Sequence, residues 1–166
     1  MINVILAIGI IAFIYIKSSI KVVPQNKVYI IERLGKYKDT ASTGIVCIMP
    51  LIDKIKCEIN MGEQVFKLSN QEVVASNNIH AIYDAFVYYE VVEPQDAAYK
   101  TKNYAEETMK YVIEAIKETA NSIELYNEIE VQTELEKQLY KLDDESYVWG
   151  CKINKIQIMS LKKKNI

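Results

Sequence analysis

His80 is the one histidine in this chain of 166 residues, so any Ser/His/Asp or Cys/His catalytic group must be built around it. The segment from Ile79 to Val92 is rich in aromatic and β-branched residues and reads as a strand. Asp84 is the nearest acid on the face of that strand that carries His80, and four residues of extended chain separate the two by about 13 Å, well beyond hydrogen-bond reach. A local dyad is therefore excluded in a strand, and although a cross-strand cysteine or acid could still meet His80, the favoured reading is a surface or strand-end histidine. Cys47, Cys57 and Cys151 form no CxxC pair and are odd in number, which argues against both a disulfide framework and a zinc site. No GxGxxG or GxxxxGK[ST] loop occurs, and 5 glycines leave little material for a phosphate cradle. Most glutamates fall at helical-surface spacing, where solvated charge is the default. Tyr88 and Tyr89 point to opposite faces of a strand and make no stacking platform. No catalytic residue, cofactor or metal site is expected.

The chemistry that does stand out is solvation. Ile2, Val4, Ile5, Leu6, Ile8, Ile10, Ile11, Phe13, Ile14, Tyr15 and Ile16 belong to an opening run without charge, closed by Lys17 and Lys21. As a helix, the first sixteen residues span roughly 24 Å, slightly less than a hydrocarbon core of about 30 Å. Lys17 can snorkel to the interface, Tyr15 suits the aromatic belt, and Ile20, Val22 and Val23 can extend the apolar contact. A cleaved signal peptide fits less well, because no basic residue precedes the run and no small-x-small site ends it. The bilayer is the first partner that the sequence implies. Lysines flank only the C-terminal side of the anchor, and the cysteines are unpaired, so the remaining chain is expected on the cytoplasmic side.

The net charge of −2 argues against nucleic acid as a partner. Between Glu93 and Glu145 there are 14 acidic residues against 6 lysines, so the N-terminal half and the tail hold most of the basic charge. A basic portion directly after an anchor suits an anionic leaflet.

Strand patterns fill 27–92. Ile55, Cys57 and Ile59 alternate with Lys54, Lys56, Glu58 and Asn60 as a half-buried strand requires. Val28 to Leu34 and Ile45 to Met49 are predicted to form a hairpin around the polar loop Gly35 to Gly44, and Ile79 to Val92 is the longest predicted strand. After Pro94 the period becomes helical. Asn103 and Glu106 resemble a capping box ahead of Ala105, Met109, Val112, Ile116, Ala120 and Ile123 at helical spacing. A second helix is predicted from about Glu128 to Leu142. The chain then returns as a strand after Trp149-Gly150, and its parity changes between Ile153 and Ile156, which requires a bulge near Asn154 or Lys155. Strands, then helices, then a closing strand give an α+β domain, or two small lobes.

The segment VPQNKVYIIERLGKYKDT from Val23 closely resembles the domain opening of the stomatin/prohibitin (SPFH, band 7) superfamily, especially its bacterial stomatin-like, paraslipin branch. GIVCIMPLIDKI from Gly44, EQVFKLSNQEVVASNN from Glu63, AFVYYEVVEPQDAAY from Ala85 and WGCKINKIQI from Trp149 follow in family order. The matching positions include Pro24, Gln25, Glu32, Arg33, Gly35, Tyr37, Gly44, Pro50, Asp53, Trp149 and Gly150. The resemblance implies an α+β SPFH domain with an antiparallel β-rich N-terminal lobe, two main helices and a closing strand, behind a membrane-anchoring helix. The expected organisation is anchor and basic flank over 1–22, SPFH domain over 23–160 and basic tail over 161–166.

The implied function is a membrane-anchored, non-enzymatic scaffold that organises or regulates membrane proteins or membrane microdomains. Membrane-bound AAA proteases and NfeD-like membrane proteins are the implied partners, together with homo-oligomers or hetero-oligomers with SPFH relatives. Asn121, Tyr126 and Gln132 stand where the family usually has Gly, Asp and Arg. The sequence given stops at Ile166, before the family's long alanine- and glutamate-rich coiled-coil helix, as a chain that has lost that segment, a short natural variant or a fragment would. Weak, small oligomers are therefore expected. Two alternatives remain open, a truncated regulator that limits assembly of full-length relatives and, ranked below it, a membrane-associated hydrolase.

Overall fold

The computed structural model describes residues 2–122, 133, 134, 137 and 149–163, and the chain divides into two compact units, 1–61 and 62–166. The first unit opens with helix α1 (Ile2–Ser19), whose apolar side chains are exposed along its whole length. Strand β1 (Ile20–Val23) follows without a linker, so Ile20, Val22 and Val23 lie in a strand rather than extending the helix. It pairs antiparallel with β4 (Gly44–Cys47). Between them in sequence lie β2 (Lys27–Arg33) and β3 (Lys36–Ala41), and β5 (Asp53–Asn60) completes a three-stranded antiparallel sheet in the order β3-β2-β5.

This corrects the predicted hairpin between Val28–Leu34 and Ile45–Met49. The polar stretch after Gly35 is itself a strand, and β4 turns away to pair with β1. Its polarity is that of an edge: Lys36, Tyr37, Lys38 and Asp39 are all exposed, because β3 has a neighbour on only one side. The expected parity of β5 holds, with Ile59 buried and Ile55 and Cys57 half-buried against exposed Lys54, Lys56 and Glu58. Val23, Ile31, Ala41 and Ile48 form the core that joins the two small sheets.

The second unit is a sheet in the order β6 (Gln64–Val74), β7 (His80–Val91) and β8 (Cys151–Lys163), all antiparallel, with helices α2 (Pro94–Tyr99) and α3 (Tyr104–Ser122). Along β7, odd-numbered residues are buried and even-numbered ones half-buried, which is the pattern of a sheet with a helix on one face. Val112, Ala115, Ile116 and Ala120 of α3 meet Tyr83, Ala85, Val87, Ile153 and Ile156 in that layer. The α3 start follows the predicted cap, with the Asn103 side chain accepting the Glu106 N–H at 3.4 Å. The short α2, with proline at its start, was not legible as a separate helix. The helix predicted over 128–142 lies outside the described residues apart from Thr133, Glu134 and Lys137, which are helical. Ile123, Tyr126 and Gln132 also lie outside them.

Strand β8 skips Asn154 in its pairing with β7, which is the predicted bulge, and a second irregularity at Met159 was not foreseen. Its 13 residues exceed the 12 of β7, so the closing strand, not Ile79–Val92, is the longest described, and it takes in Leu161, Lys162 and Lys163. Where β8 begins, Gly150 has φ +73° and its carbonyl accepts the N–H groups of Val92 and Glu93 at 2.8 and 3.0 Å. A Cβ there would sit 2.2 Å from the Glu93 carbonyl oxygen.

Gly150→Ala should therefore cost more than Gly35→Ala, because both residues are left-handed but a Cβ on Gly35 meets open space. The left-handed conformation alone costs about 1–2 kcal/mol for a non-glycine residue, and the Gly150 clash adds to it. Denaturant unfolding in detergent, followed by Trp149 fluorescence for the second unit and by circular dichroism for the first, checks this ranking. Equal losses would refute it.

Candidate membrane-facing site

Asp53 is the one charged residue that the described structure buries completely, its side chain 0 % exposed, and such a group must be paired. It stands directly opposite Arg33 in the β2-β5 register. The guanidinium donates from Nε to Oδ1 at 2.7 Å and from Nη2 to Oδ2 at 3.1 Å, a bidentate fork. Lys38 Nζ donates to Oδ2 at 2.8 Å, and the Met49 backbone N–H donates to the same oxygen at 3.0 Å. Arg33, Lys38 and the Met49 N–H, in that order of weight, hold the Asp53 carboxyl well below the usual carboxylate range.

Two bulges make this possible. β3 carries one extra residue, Lys38, opposite Ile31-Glu32, and β5 carries one extra, Lys56, opposite Ile30-Ile31. A bulge re-aims the side chain of the extra residue. Lys38 is thereby turned onto Asp53, and Lys56 onto Glu32 at 3.1 Å.

The carboxylate cluster fixes two loops. Leu34 and Gly35 form the two-residue turn between β2 and β3, with φ values of +51° and +79°, as a type I′ hairpin turn demands. Pro50 and Leu51 form the other turn, closed by the Ile52 and Asp53 N–H groups donating to the Met49 carbonyl at 3.1 and 2.8 Å. The Leu34 N–H donates to the Ile52 carbonyl at 3.1 Å and joins the loops, while the Ile48 N–H donates to the Ser19 carbonyl at 2.8 Å. Ser19 is the last residue of α1. The apolar helix, the Met49–Ile52 turn and the Leu34 turn are thus consecutive parts of one end of the first unit.

That end is apolar where it should be polar. Leu34 is 80 % exposed and Leu51 85 %, with Met49 and Ile52 also exposed. Ile20, Val22, Ile45 and Cys47 pair across β1-β4 and form an exposed face running from the helix. Among the described residues, the other non-glycine positions with positive φ are Asn26, Asn70 and Asn78, the residue type that tolerates this conformation, so Leu34 is the exception there. Lysines surround the patch: Lys17 in the last turn of α1, Lys21 in β1, Lys36 beside the Leu34 turn and Lys54 after Asp53.

Of the positions singled out in the sequence, Glu32, Arg33, Gly35, Tyr37, Pro50 and Asp53 gather at this end. Pro24, Gln25 and Gly44 lie at the other end of the same unit, where Thr43 Oγ1 donates to the Pro24 carbonyl at 3.2 Å and Val23 pairs with Gly44. Trp149 and Gly150 belong to the second unit, and Trp149 packs edge-on against Tyr111 with ring centroids 5.4 Å apart. Sequence reasoning missed Leu34, Lys38, Met49 and Leu51. A leucine next to glycine between two strand patterns was the available signal. His80 and Asp84 lie on one strand face as expected, but Asp84 is taken up by the Asn70 N–H at 2.9 Å and Ser160 Oγ at 3.1 Å. Among the described residues, no group of three or more His, Cys, Asp or Glu side chains could hold a metal ion.

The family model for the SPFH domain / Band 7 family matches residues 21–164. The chain belongs to that family. An uncharacterized protein of Methanothermobacter thermautotrophicus is 28% identical over 160 residues, covering 96% of this chain and 49% of the relative. One of Mycobacterium tuberculosis is 27% identical over 153 residues, 92% of this chain and 40% of its own length. A stomatin homolog of Pyrococcus horikoshii is 26% identical over 150 residues, 90% of this chain and 56% of its own length. The chain spans about half the length of these relatives. The matched region runs from within β1 to the end of β8, so this SPFH protein has the α+β architecture expected, and its N-terminal helix is long and apolar enough to cross a membrane.

Asp53→Asn should lower the thermal midpoint by several degrees at neutral pH, since the substitution leaves Arg33 and Lys38 without their counter-charge. A carboxyl whose pKa is depressed by folding stabilises above its unfolded value of about 3.9 and loses that contribution as pH falls towards the folded value. The gap between wild type and variant should therefore be wide at pH 7 and narrow progressively below about pH 4. Thermal unfolding across that pH range checks it, and a gap independent of pH would contradict the assignment.

Proposed function

We propose that this SPFH protein is a membrane-anchored, non-enzymatic scaffold that organises or regulates other membrane proteins, with α1 in the bilayer and both folded units on the cytoplasmic side. The observation that carries the reading is the continuity of α1 with the first unit. An exposed apolar helix ends at Ser19, and its last carbonyl is hydrogen-bonded into the folded lobe. An 18-residue helix is about 27 Å long, enough to cross most of a hydrocarbon core. Lys17, 5.6 Å above the Phe13 ring, and Lys21 follow the apolar run, and this basic flank supports the cytoplasmic orientation. Membership of the family and the likeness to stomatin homologs support scaffolding. Membrane-bound AAA proteases and NfeD-like membrane proteins are the partner classes to examine first.

Alkaline carbonate should leave the protein in the membrane fraction, and deleting 1–17 should release it. Extraction of the intact chain, or membrane retention of the shortened one, would refute the anchor. For orientation, an impermeant maleimide should modify no cysteine in sealed cells. Once the membrane is opened, exposed Cys47 should react first, while Cys151, buried and with its thiol pushed up by that burial, should react only on unfolding. Modification in sealed cells would reverse the topology.

A further inference from the structure

A sheet with a helix layer on one face is expected to carry polar side chains on the other, and β7 departs from this. Its odd-numbered residues are buried on the α3 side, yet Ile82, Phe86 and Tyr88, which point the opposite way, are apolar or aromatic as well and only half-buried. Apolar side chains on both faces of a strand are the pattern of a sheet covered on both sides. The register sets exposed Val65 of β6 beside Tyr88 and exposed Val74 beside His80, so the apolar strip spreads from the central strand onto its neighbour. From Tyr88 to Ile82 the strip runs about 20 Å, the length of a helix of about 14 residues.

Lysines line the strip on both sides. Lys67 stands beside Phe86 on β6, and Lys155 and Lys162 stand beside Tyr88 and Ile82 on β8. All three are exposed and none forms an ion pair among the described residues, whereas Lys100 and Lys110 of the same unit are paired at 2.7 and 2.9 Å. The acids on or beside this face are already committed. Asp84 accepts hydrogen bonds from the Asn70 N–H and Ser160 Oγ and is further offset by Lys67 and Lys162. Glu63 accepts from the Asn154 side chain at 3.1 Å, Glu90 stands opposite Lys152, and Glu72 is engaged in an interaction of its own.

We infer that this face of the β6-β7-β8 sheet docks an acidic amphipathic helix of a partner protein, its apolar stripe on Ile82, Phe86 and Tyr88 and its carboxylates on Lys67, Lys155 and Lys162. The inference goes beyond the scaffold reading by giving the chemistry of what is held, and it does not depend on the anchor. Charge names the occupant. A basic helix would be repelled, and a neutral apolar surface would desolvate the lysines without supplying a counter-charge. Two copies of this chain meeting face to face would set one basic strip against another.

The full-length chain in phosphatidylcholine nanodiscs provides the test, with empty discs as background. Three dye-labelled stapled peptides of about 14 residues serve as probes: a leucine stripe flanked by glutamates, the same stripe flanked by lysines, and the glutamate peptide with its stripe scrambled. By fluorescence anisotropy the glutamate helix should bind with a micromolar Kd, and the other two at least about tenfold more weakly. Lys67→Glu combined with Lys155→Glu should weaken the glutamate helix about tenfold and strengthen the lysine helix, an exchange that an unfolded variant would not give. Phe86→Thr combined with Tyr88→Thr should remove binding of the glutamate helix, with circular dichroism showing that the thermal transition persists. Failure of the glutamate helix to bind, equal binding of the glutamate and lysine helices, or glutamate-helix binding that survives the charge reversal would overturn the inference. Self-association of the chain that Phe86→Thr with Tyr88→Thr abolishes would assign the face to a second copy instead. Should the chain prove soluble without discs, the same titration runs in buffer, so that a failure of anchoring and a failure of docking are read separately.

Discussion

The first unit depends on the neutralisation of one carboxylate. The Asp53 side chain is covered by its neighbours, and an unpaired charge in that position would be costly, so the fold must supply partners. It does so from three places: Arg33 directly across the ladder, Lys38 from a bulge on the far edge strand, and the Met49 N–H from the turn that precedes Asp53 itself. Each partner sits on a different segment. Satisfying the charge therefore sets the register of β2 on β5, the bulge in β3 and the shape of the Met49–Ile52 turn at the same time.

That arrangement explains how exposed leucines persist at the tips of two loops. The Leu34 turn is strained, and a strained turn holds only where its surroundings over-determine it. Arg33 precedes Leu34 and Lys36 follows Gly35, with Arg33 clamped to Asp53 and the Leu34 N–H bound to Ile52. The turn is thus closed on both sides by interactions that do not involve the leucine side chain. Asn26, Asn70 and Asn78 solve the same backbone problem in the ordinary way, with polar side chains that suit solvent.

The second unit relies on close backbone approach instead of charge. Gly150 brings the start of β8 against the β7 exit and the start of α2 through its own carbonyl, leaving no room for a side chain. On the other side of the sheet's register, Asp84 secures the irregular stretch of β6 by accepting the N–H of Asn70, whose φ is +53°. Both devices stabilise irregularities at the sheet's ends and edges while the α3 layer covers one face.

The apolar helix, the α+β class, the α3 face, the parity of β5 and the bulge at Asn154 were legible in the sequence, because each follows from local periodicity and from where a chain places its apolar side chains. The residues of the Asp53 cluster were partly legible: Arg33, Gly35, Pro50 and Asp53 stand in blocks that resemble the family, but nothing local says that they meet. Lys38 read as loop surface because a bulge is a property of two paired strands, not of one. The loop reading of β3 and the expected partner of β4 went astray for the same reason, since a polar edge strand and a polar loop share one composition, and only pairing across the ladder identifies either. Likewise Leu34 is an ordinary strand-end leucine in one dimension. Its positive φ, its neighbour Leu51 and its place beside the end of α1 arise when β2, β3 and β5 pair, and pairing between distant segments is what tertiary structure alone decides.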